Sequence, residues 1–283
     1  LVSRFAREHV KVVLGGDGGD EMLAGYSTLQ AHRLSPLYRS LPAMLRRWGE
    51  WAVTRMPVSN QYLSLDFLLS RFIQGADAPP YVQHQVWTGA LYGDAKMAVM
   101  HPDVRSELDH DRFELMLAEI AESSGVQHPL NRILYQDFKL YLEGDILTKV
   151  DRASMANALE TRVPILNLEV MEYLQHIPLR LKLRGMTRKY LLRRAMEEFL
   201  PPDIIRRRKR GFSIPVAAWI NGDLRDLVHE YLDPVRLERE AIFDGAEVAR
   251  LLDEHARGVR NHAKRLWTIL MFQQWRECWL DSA

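Results

Sequence analysis

Lys11-Val12-Val13-Leu14 runs directly into Gly15-Gly16-Asp17-Gly18-Gly19-Asp20-Glu21, and this junction restricts the fold more than any other feature of the chain. A short apolar run that stops at a glycine pair reads as a strand buried in a parallel sheet. The four glycines and three acids then stand at the strand's carboxyl end, where open α/β sheets bind ligands. Glycines let a phosphate or nucleotide approach the backbone closely and expose N–H donors. Carboxylates beside such a loop can hold Mg²⁺, which shares its oxygen ligands with substrate phosphates. No Gly-Lys-Ser/Thr follows, so this is not a Walker A loop, and Glu21 occupies the last place of a Gly-x-Gly-x-x-Gly pattern. Taken alone, the segment reads equally as a tight turn with solvated acids.

The rest of the pattern is helical. Leu1/Val2, Phe5 and Ala6 share one side of an amphipathic amino-terminal helix. From about residue 28 apolar positions recur every three or four residues, as in Leu130, Ile133, Leu134, Phe138, Tyr141 and Leu142, then Ile146, Leu147, Val150, Ala153 and Leu159. Glu143-Gly144-Asp145 predicts a break or kink between these series. Thr187 is a candidate cap for a helix that Pro201-Pro202 ends, and Leu266 through Trp279 form a last amphipathic helix. Gly75 to Pro80 reads as a loop and is the one plausible internal linker. The expected architecture is an α/β parent fold with a parallel sheet. This portion is predominantly α-helical with one strand near residues 10–14, and the remaining strands are expected upstream of Leu1. A chain that starts without Met, inside a helix, reads as a piece of something longer.

Composition excludes several classes. The 283 residues are 47% hydrophobic and carry 38 Lys+Arg against 37 Asp+Glu, a net charge of +1. Such a balance argues against a global grip on nucleic acid. No apolar run approaches the ~20 residues that span a bilayer. The single cysteine, Cys278, permits no intrachain disulfide and fits the cytoplasm; it reads as a small buried hydrophobe in the last helix. The histidines show no metal-type spacing.

Two later segments carry charge in patterns worth weighing. In Asp145-Ile146-Leu147-Thr148-Lys149-Val150-Asp151-Arg152, helical spacing puts Asp145 near Lys149, and a surface helix with ion pairs explains it by periodicity alone. Arg162-Val163-Pro164 reads as a helix exit. Arg206-Arg207-Arg208-Lys209-Arg210-Gly211-Phe212 could deliver one or two cations to a polyphosphate, or be a solvated basic loop.

Taken in order, these blocks resemble the glutamine-hydrolysing asparagine synthetases. Leu14 to Glu21 with Gly25-Tyr26 is similar to their Ser-Gly-Asp/Glu-Gly-Gly/Ser-Asp-Glu loop, and Asp145 to Pro164 to their Asp-x-Leu-x-Lys-x-Asp-Arg-x-Ser-Met…Glu-Ala-Arg-Val-Pro segment. Lys189-Tyr190-Leu191-Leu192-Arg193, Arg207-x-Lys209-x-Gly211-Phe212-x-x-Pro215 and Leu266-Trp267…Trp275 match later blocks. The resemblance covers essentially the whole chain as the carboxyl-terminal part of the synthetase domain. It implies an adenine-nucleotide alpha-hydrolase-like fold and a ligase that adenylates aspartate with ATP and Mg²⁺, then forms asparagine with ammonia from a glutaminase domain. By the same resemblance Asp20 helps hold Mg²⁺, Asp17 is needed for β-aspartyl-AMP to form, and Gly15, Gly16, Gly18 and Gly19 lie against the nucleotide. Lys209 steadies the pyrophosphate and the five-coordinate transition state, and Asp145 lies near the acyl-adenylate. Glu160 and Arg162 are mainly structural; a homodimer stays open, with no nucleic-acid or membrane partner.

The chain departs from the pattern at Gly15, where a serine is usual, and at Thr161 and Asn167. The upstream Ser-Gly-Gly-x-Asp-Ser loop and the glutaminase cysteine do not occur in it, so these residues alone are expected to complete neither half-reaction. A paralogue that amidates or cyclises another carboxylate and a noncatalytic binding module are the competing expectations.

Overall fold

The computed structural model describes residues 1–59, 64–109, 112–207 and 214–280. They divide into two compact units. The first comprises Leu1–Pro36, Pro79–His84 and the described residues of 113–209; the second comprises Leu37–Ala78, Gln85–Arg112 and the described residues of 210–283. One crossing between units, at Ala78–Pro79, falls in the proline-containing loop read as a linker.

In the first unit the amphipathic helix α1 (Val2–His9) leads into β1 (Val12–Leu14), as expected. The expectation of one strand does not hold. β2 (Glu160–Arg162) pairs with β1 in parallel, Val12 opposite Glu160 and Leu14 opposite Arg162. A parallel neighbour is therefore supplied from within the chain, by the segment read as a helix exit. β2 is three residues long and polar on every side chain, so it carries no apolar run to betray it. Nor is β1 buried here: Val12 and Leu14 are exposed.

Helical packing forms the rest of the unit. Pro129 opens the helix Pro129–Gln136, whose first turn His128 caps by accepting from the Leu130 N–H at 3.2 Å. The chain does not break at Glu143-Gly144-Asp145. It continues as a π-helix, Asp137–Leu147, and passes into the helix Thr148–Met155. A π-helix keeps the ladder running with wider turns, so the glycine is absorbed rather than used as a stop. Ala24, Leu29, Ile133, Leu134 and Leu183 make one core; Met22, Leu23 and Leu174, with Phe138 and Leu166 against them, make another. Thr187 does not cap a helix. It lies in β4 (Thr187–Arg188), which pairs antiparallel with β3 (Leu183–Arg184), and the next helix starts at Tyr190 with Lys189 as its leading residue. That helix ends at Ala195, well before Pro201-Pro202, and Pro202 instead opens a new short helix, Pro202–Arg206.

The second unit is built around the last helix, Ala263–Trp279, which buries Leu266, Ile269 and Leu270 against Val228, Leu232, Val248 and Leu251. Asp244 caps the helix Gly245–Ala256 by accepting from the Glu247 N–H at 2.8 Å. Cys278 is exposed, contrary to its reading as a buried hydrophobe. It lies beyond the buried stripe, on the same helix end as exposed Trp275 and Trp279. No helix among the described residues is long and apolar enough to cross a membrane.

Buried His255 joins two elements of this unit. Its Nδ1 accepts from the His262 N–H at 3.3 Å, and its Nε2 faces the Ala217 carbonyl at 3.4 Å, which requires the neutral ring. Burial holds its pKa below the usual histidine range. A histidine depressed in the fold binds its proton more readily when unfolded, so its stabilisation is complete above about pH 6.5 and falls as pH drops below that. Denaturant midpoints should therefore decline between pH 7.5 and pH 5.5, and His255→Gln should flatten that slope.

Candidate active site

Gly15 extends the pairing of β1 by one bond, its N–H donating to the Arg162 carbonyl at 2.7 Å. The backbone then leaves the sheet and turns at Gly18, with φ +80°, into the one-turn helix α2 (Gly19–Met22). Two constraints demand glycine at this turn. L side chains avoid that φ, and a Cβ would lie 2.3 Å from Leu166 Cδ2. Gly25 closes the loop, its N–H donating to the Asp20 carbonyl at 2.8 Å. A Cβ on Gly25 would come within 1.8 Å of Asp20 Oδ1 and 2.4 Å of Lys189 Cε. Gly16 differs: nothing lies within 4 Å of its Cβ position, so the backbone here can be approached closely.

Lys189 reaches this loop from the far side of the β3–β4 hairpin. Its N–H donates to the Leu23 carbonyl at 3.2 Å, and the Arg188 guanidinium donates to the Gly25 carbonyl at 2.9 Å. These two bonds fix the hairpin's exit against residues 23–25. The Lys189 ammonium then lies 2.9 Å from Asp20 Oδ1, with both side chains mostly shielded from solvent. It also stands 3.7 Å from the position a Gly19 Cβ would take. A cation and a carboxylate thus stand together beside Gly19 and Gly25.

Beneath them Glu21 is buried and accepts a hydrogen bond from the Tyr26 hydroxyl. Desolvation holds its carboxyl above the usual range, opposed by the Tyr26 bond and reinforced by repulsion from Asp20 and Asp137. The Tyr26 phenol is pushed up by burial and by its bond to Glu21. Tyr141 of the π-helix meets Tyr26 edge-on, with 5.7 Å between ring centroids. Asp137, at the start of the same helix, lies 2.7 Å from His84 Nε2, and His84 Nδ1 lies 3.2 Å from His32 Nε2. All three of these groups are buried.

Of the residues singled out in the sequence, Gly15, Gly16, Asp17, Gly18, Gly19 and Asp20 form one continuous loop at the end of β1. Asp145 lies on the exposed side of the π-helix, 3.8 Å from Lys149, as its spacing predicts. Lys209 lies outside the described residues. Among the described residues no group of three or more His, Cys, Asp or Glu is arranged to hold a metal ion.

This loop, in this order of elements, has relatives. The family model for asparagine synthase matches residues 1–277. The chain belongs to the asparagine synthase family. It is 34% identical, over its whole length, to a Mycobacterium tuberculosis protein provisionally named asparagine synthetase (glutamine-hydrolysing). It is 27% identical, over 97% of its length, to asparagine synthetase (glutamine-hydrolysing) 1 of Bacillus subtilis. It spans 42% of the length of each of these curated relatives. A Gibberella zeae protein named Amidase chry2 is 22% identical over 86% of the chain, which covers 38% of that protein. No solved structure matches.

For a member of this family, the sequence reading leaves Lys189 and Glu21 without a task. A single lysine ahead of a helix has no periodic signature, and its meeting with Asp20 emerges only when the hairpin folds back. Glu21 shows only as one acid among three. The two glycine environments give a direct check of the loop. Gly18→Ala should destabilise the protein by about 1–3 kcal/mol, because strain and the Leu166 overlap act together. Gly16→Ala should leave the denaturant midpoint near wild type.

Proposed function

We propose that the loop Gly15–Asp20 and Lys189 bind the polyphosphate of ATP, and that residues 1–283 are the carboxyl-terminal portion of an ATP-dependent asparagine synthetase domain. The whole protein would convert aspartate to asparagine through β-aspartyl-AMP, with ammonia drawn from glutamine by a glutaminase domain. The Lys189–Asp20 pair, on a glycine-rich segment whose backbone is open to approach at Gly16, carries this reading. It puts a cation for phosphate oxygens and a carboxylate for a metal on one loop at a strand's carboxyl end.

The donor set suits Mg²⁺. That ion takes one or two carboxylates together with substrate phosphates and waters, so a cluster of three protein acids is not required. Asp20 would hold it, and Gly25, which has no Cβ to crowd Asp20 Oδ1, preserves room there. When bound, the ion supplies charge neutralisation at the phosphates. Lys189 would then exchange its carboxylate partner for a phosphate oxygen, and N–H groups of Gly15, Gly16, Gly18 and Gly19 would face the nucleotide.

In the first step an aspartate side-chain oxygen attacks the α-phosphorus, and the bond to pyrophosphate breaks. One anion approaches another, so cations that absorb the developing charge lower the barrier. Lys189 and Lys209 fill that role, and Asp17 and Asp145 support the adenylate. In the second step ammonia attacks the acyl carbon, the bond to AMP breaks, and the surplus proton leaves the nitrogen. A paralogous reading, amide formation on a different carboxylate, draws on Gly15 in place of the usual serine and on the relative named as an amidase.

Aspartate-dependent AMP release by the full-length protein tests both readings. Asp20→Asn, Lys189→Gln and Lys209→Ala should each lower it by about 100-fold or more, with folding and glutamine hydrolysis retained. Rates close to wild type in all three variants would remove these role assignments. AMP release with another carboxylate, and none with aspartate, would favour the paralogous reading.

A further inference from the structure

The second unit holds a cluster of cations that the adenylation chemistry does not use. A cleft of about 280 Å³ opens beside the helix Leu65–Gly75 and the start of the helix Ala263–Trp279. Arg71, Arg260, Lys264 and Arg265 line it, against two carboxylates, Asp66 and Glu50. Asp66 accepts from the Ser59 N–H at 3.3 Å and Glu50 from the Tyr38 hydroxyl at 3.4 Å, and among the described residues neither forms an ion pair with these cations. Among the described residues, Arg71, Lys264 and Arg265 form no ion pair.

Their placement runs against ordinary helix electrostatics. The first turn of Ala263–Trp279 contains no acid and carries Lys264 and Arg265, although a helix amino terminus favours negative charge. Arg71 donates to the Gly89 carbonyl and Lys264 to the Thr88 carbonyl. Those bonds use one donor each, out of five on a guanidinium and three on an ammonium. Partial charges on two carbonyls do not neutralise the cluster. The cost is visible on the side chains: desolvation, followed by repulsion from Arg71, pushes the Lys264 ammonium down to about 8. Arg71 is lowered by desolvation and then by Arg265. Among the described residues no acid acts on either of them. On Arg265, Glu247 is the largest influence after desolvation and Glu254 adds a smaller one, but both acids belong to a network with Arg250 and His262.

We propose that this cleft is an anion site for a phosphate-class dianion, held by Arg71, Lys264 and Arg265 at the amino terminus of the last helix, with Arg260 at its rim. A doubly charged oxyanion offers enough acceptors for several converging donors, and backbone N–H groups of a helix's first turn commonly complete such sites. The reading is independent of the glycine-rich loop, which lies in the other unit.

Thermal unfolding of the full-length protein in inorganic phosphate, against chloride at equal ionic strength, tests it. Saturable stabilisation of about 3 °C is expected in wild type and in Lys189→Gln, whose lesion lies in the glycine-rich loop. Lys264→Gln/Arg265→Gln should lose that shift while its midpoint in chloride does not fall, since two repelling cations are gone. If the double variant does not fold, exposed Arg260→Gln serves: its phosphate response should weaken at an unchanged midpoint in chloride. Glycerol phosphate in place of phosphate separates sources, equal or tighter binding indicating a phosphate ester and weaker binding the free ion. The proposal is overturned if phosphate and chloride act alike on wild type. It is equally overturned if the shift survives in the double variant or in Arg260→Gln, or if Lys189→Gln alone abolishes it.

Discussion

Lys189 compensates the charge of Asp20 at the position Asp20 takes. Its neighbour Glu21 is buried, Asp137 lies close enough to act on Glu21, and Asp20 adds to that repulsion. A third negative charge on such a loop needs a cation, and the ammonium at 2.9 Å supplies it. Removing one member of a mostly shielded pair leaves the other charge uncompensated, which costs more than the pair itself contributes. The requirement propagates outward. Lys189 is delivered by the turn after β4, that turn is pinned by Arg188 on the Gly25 carbonyl, and Gly25 must lack a side chain because the ion pair fills its surroundings. Loop, hairpin and ion pair form one mutually dependent unit.

Opposite arrangements of charge distinguish the two phosphate readings. At the glycine-rich loop the cation already has a carboxylate partner, so the proposed metal–phosphate group would bind by exchange, with Asp20 available to the metal and Lys189 to the phosphate. In the second unit Arg71 and Lys264 have carbonyl partners and, among the described residues, Arg71, Lys264 and Arg265 form no ion pair, so an anion would relieve repulsion without breaking one. Exchange suits a site that must release its product. Relief of standing repulsion suits a site that holds an ion for longer, because the empty state is the one under electrostatic load.

What could be read from the sequence followed the size of the signal. The stop of an apolar run at Gly15-Gly16 is a contrast between adjacent residues, and the strand and the loop came where it pointed, while the one-turn helix Gly19–Met22 went unread. The last helix was legible because Leu266, Ile269 and Leu270 repeat at helical spacing over several turns. β2 was hidden because Glu160, Thr161 and Arg162 are all polar, and three residues give alternation no room to show. The π-helix was hidden for a different reason. Glu143-Gly144-Asp145 has the composition of a terminus, yet Phe138 packed in the core and fully buried Leu142 lead straight into it and the helix runs on, so tertiary context overrides local preference. Lys189 was the least legible of all, because one ion pair between distant positions leaves no pattern in either neighbourhood.

Depth sorts the acids around the loop by task. Glu21 and Asp137 are 2% and 4% exposed, and each has a dedicated neutral or neutralisable partner, Tyr26 for the first and His84 for the second. A carboxylate so enclosed can exchange neither proton nor partner without opening the core, which makes it a fixed strut beneath the loop. Asp17 and Asp20 keep partial exposure, and the partner of Asp20 is a long, flexible lysine whose ammonium can swing to another oxygen. On the proposed function, an acid that takes up a cation during the cycle would belong to the shallow pair.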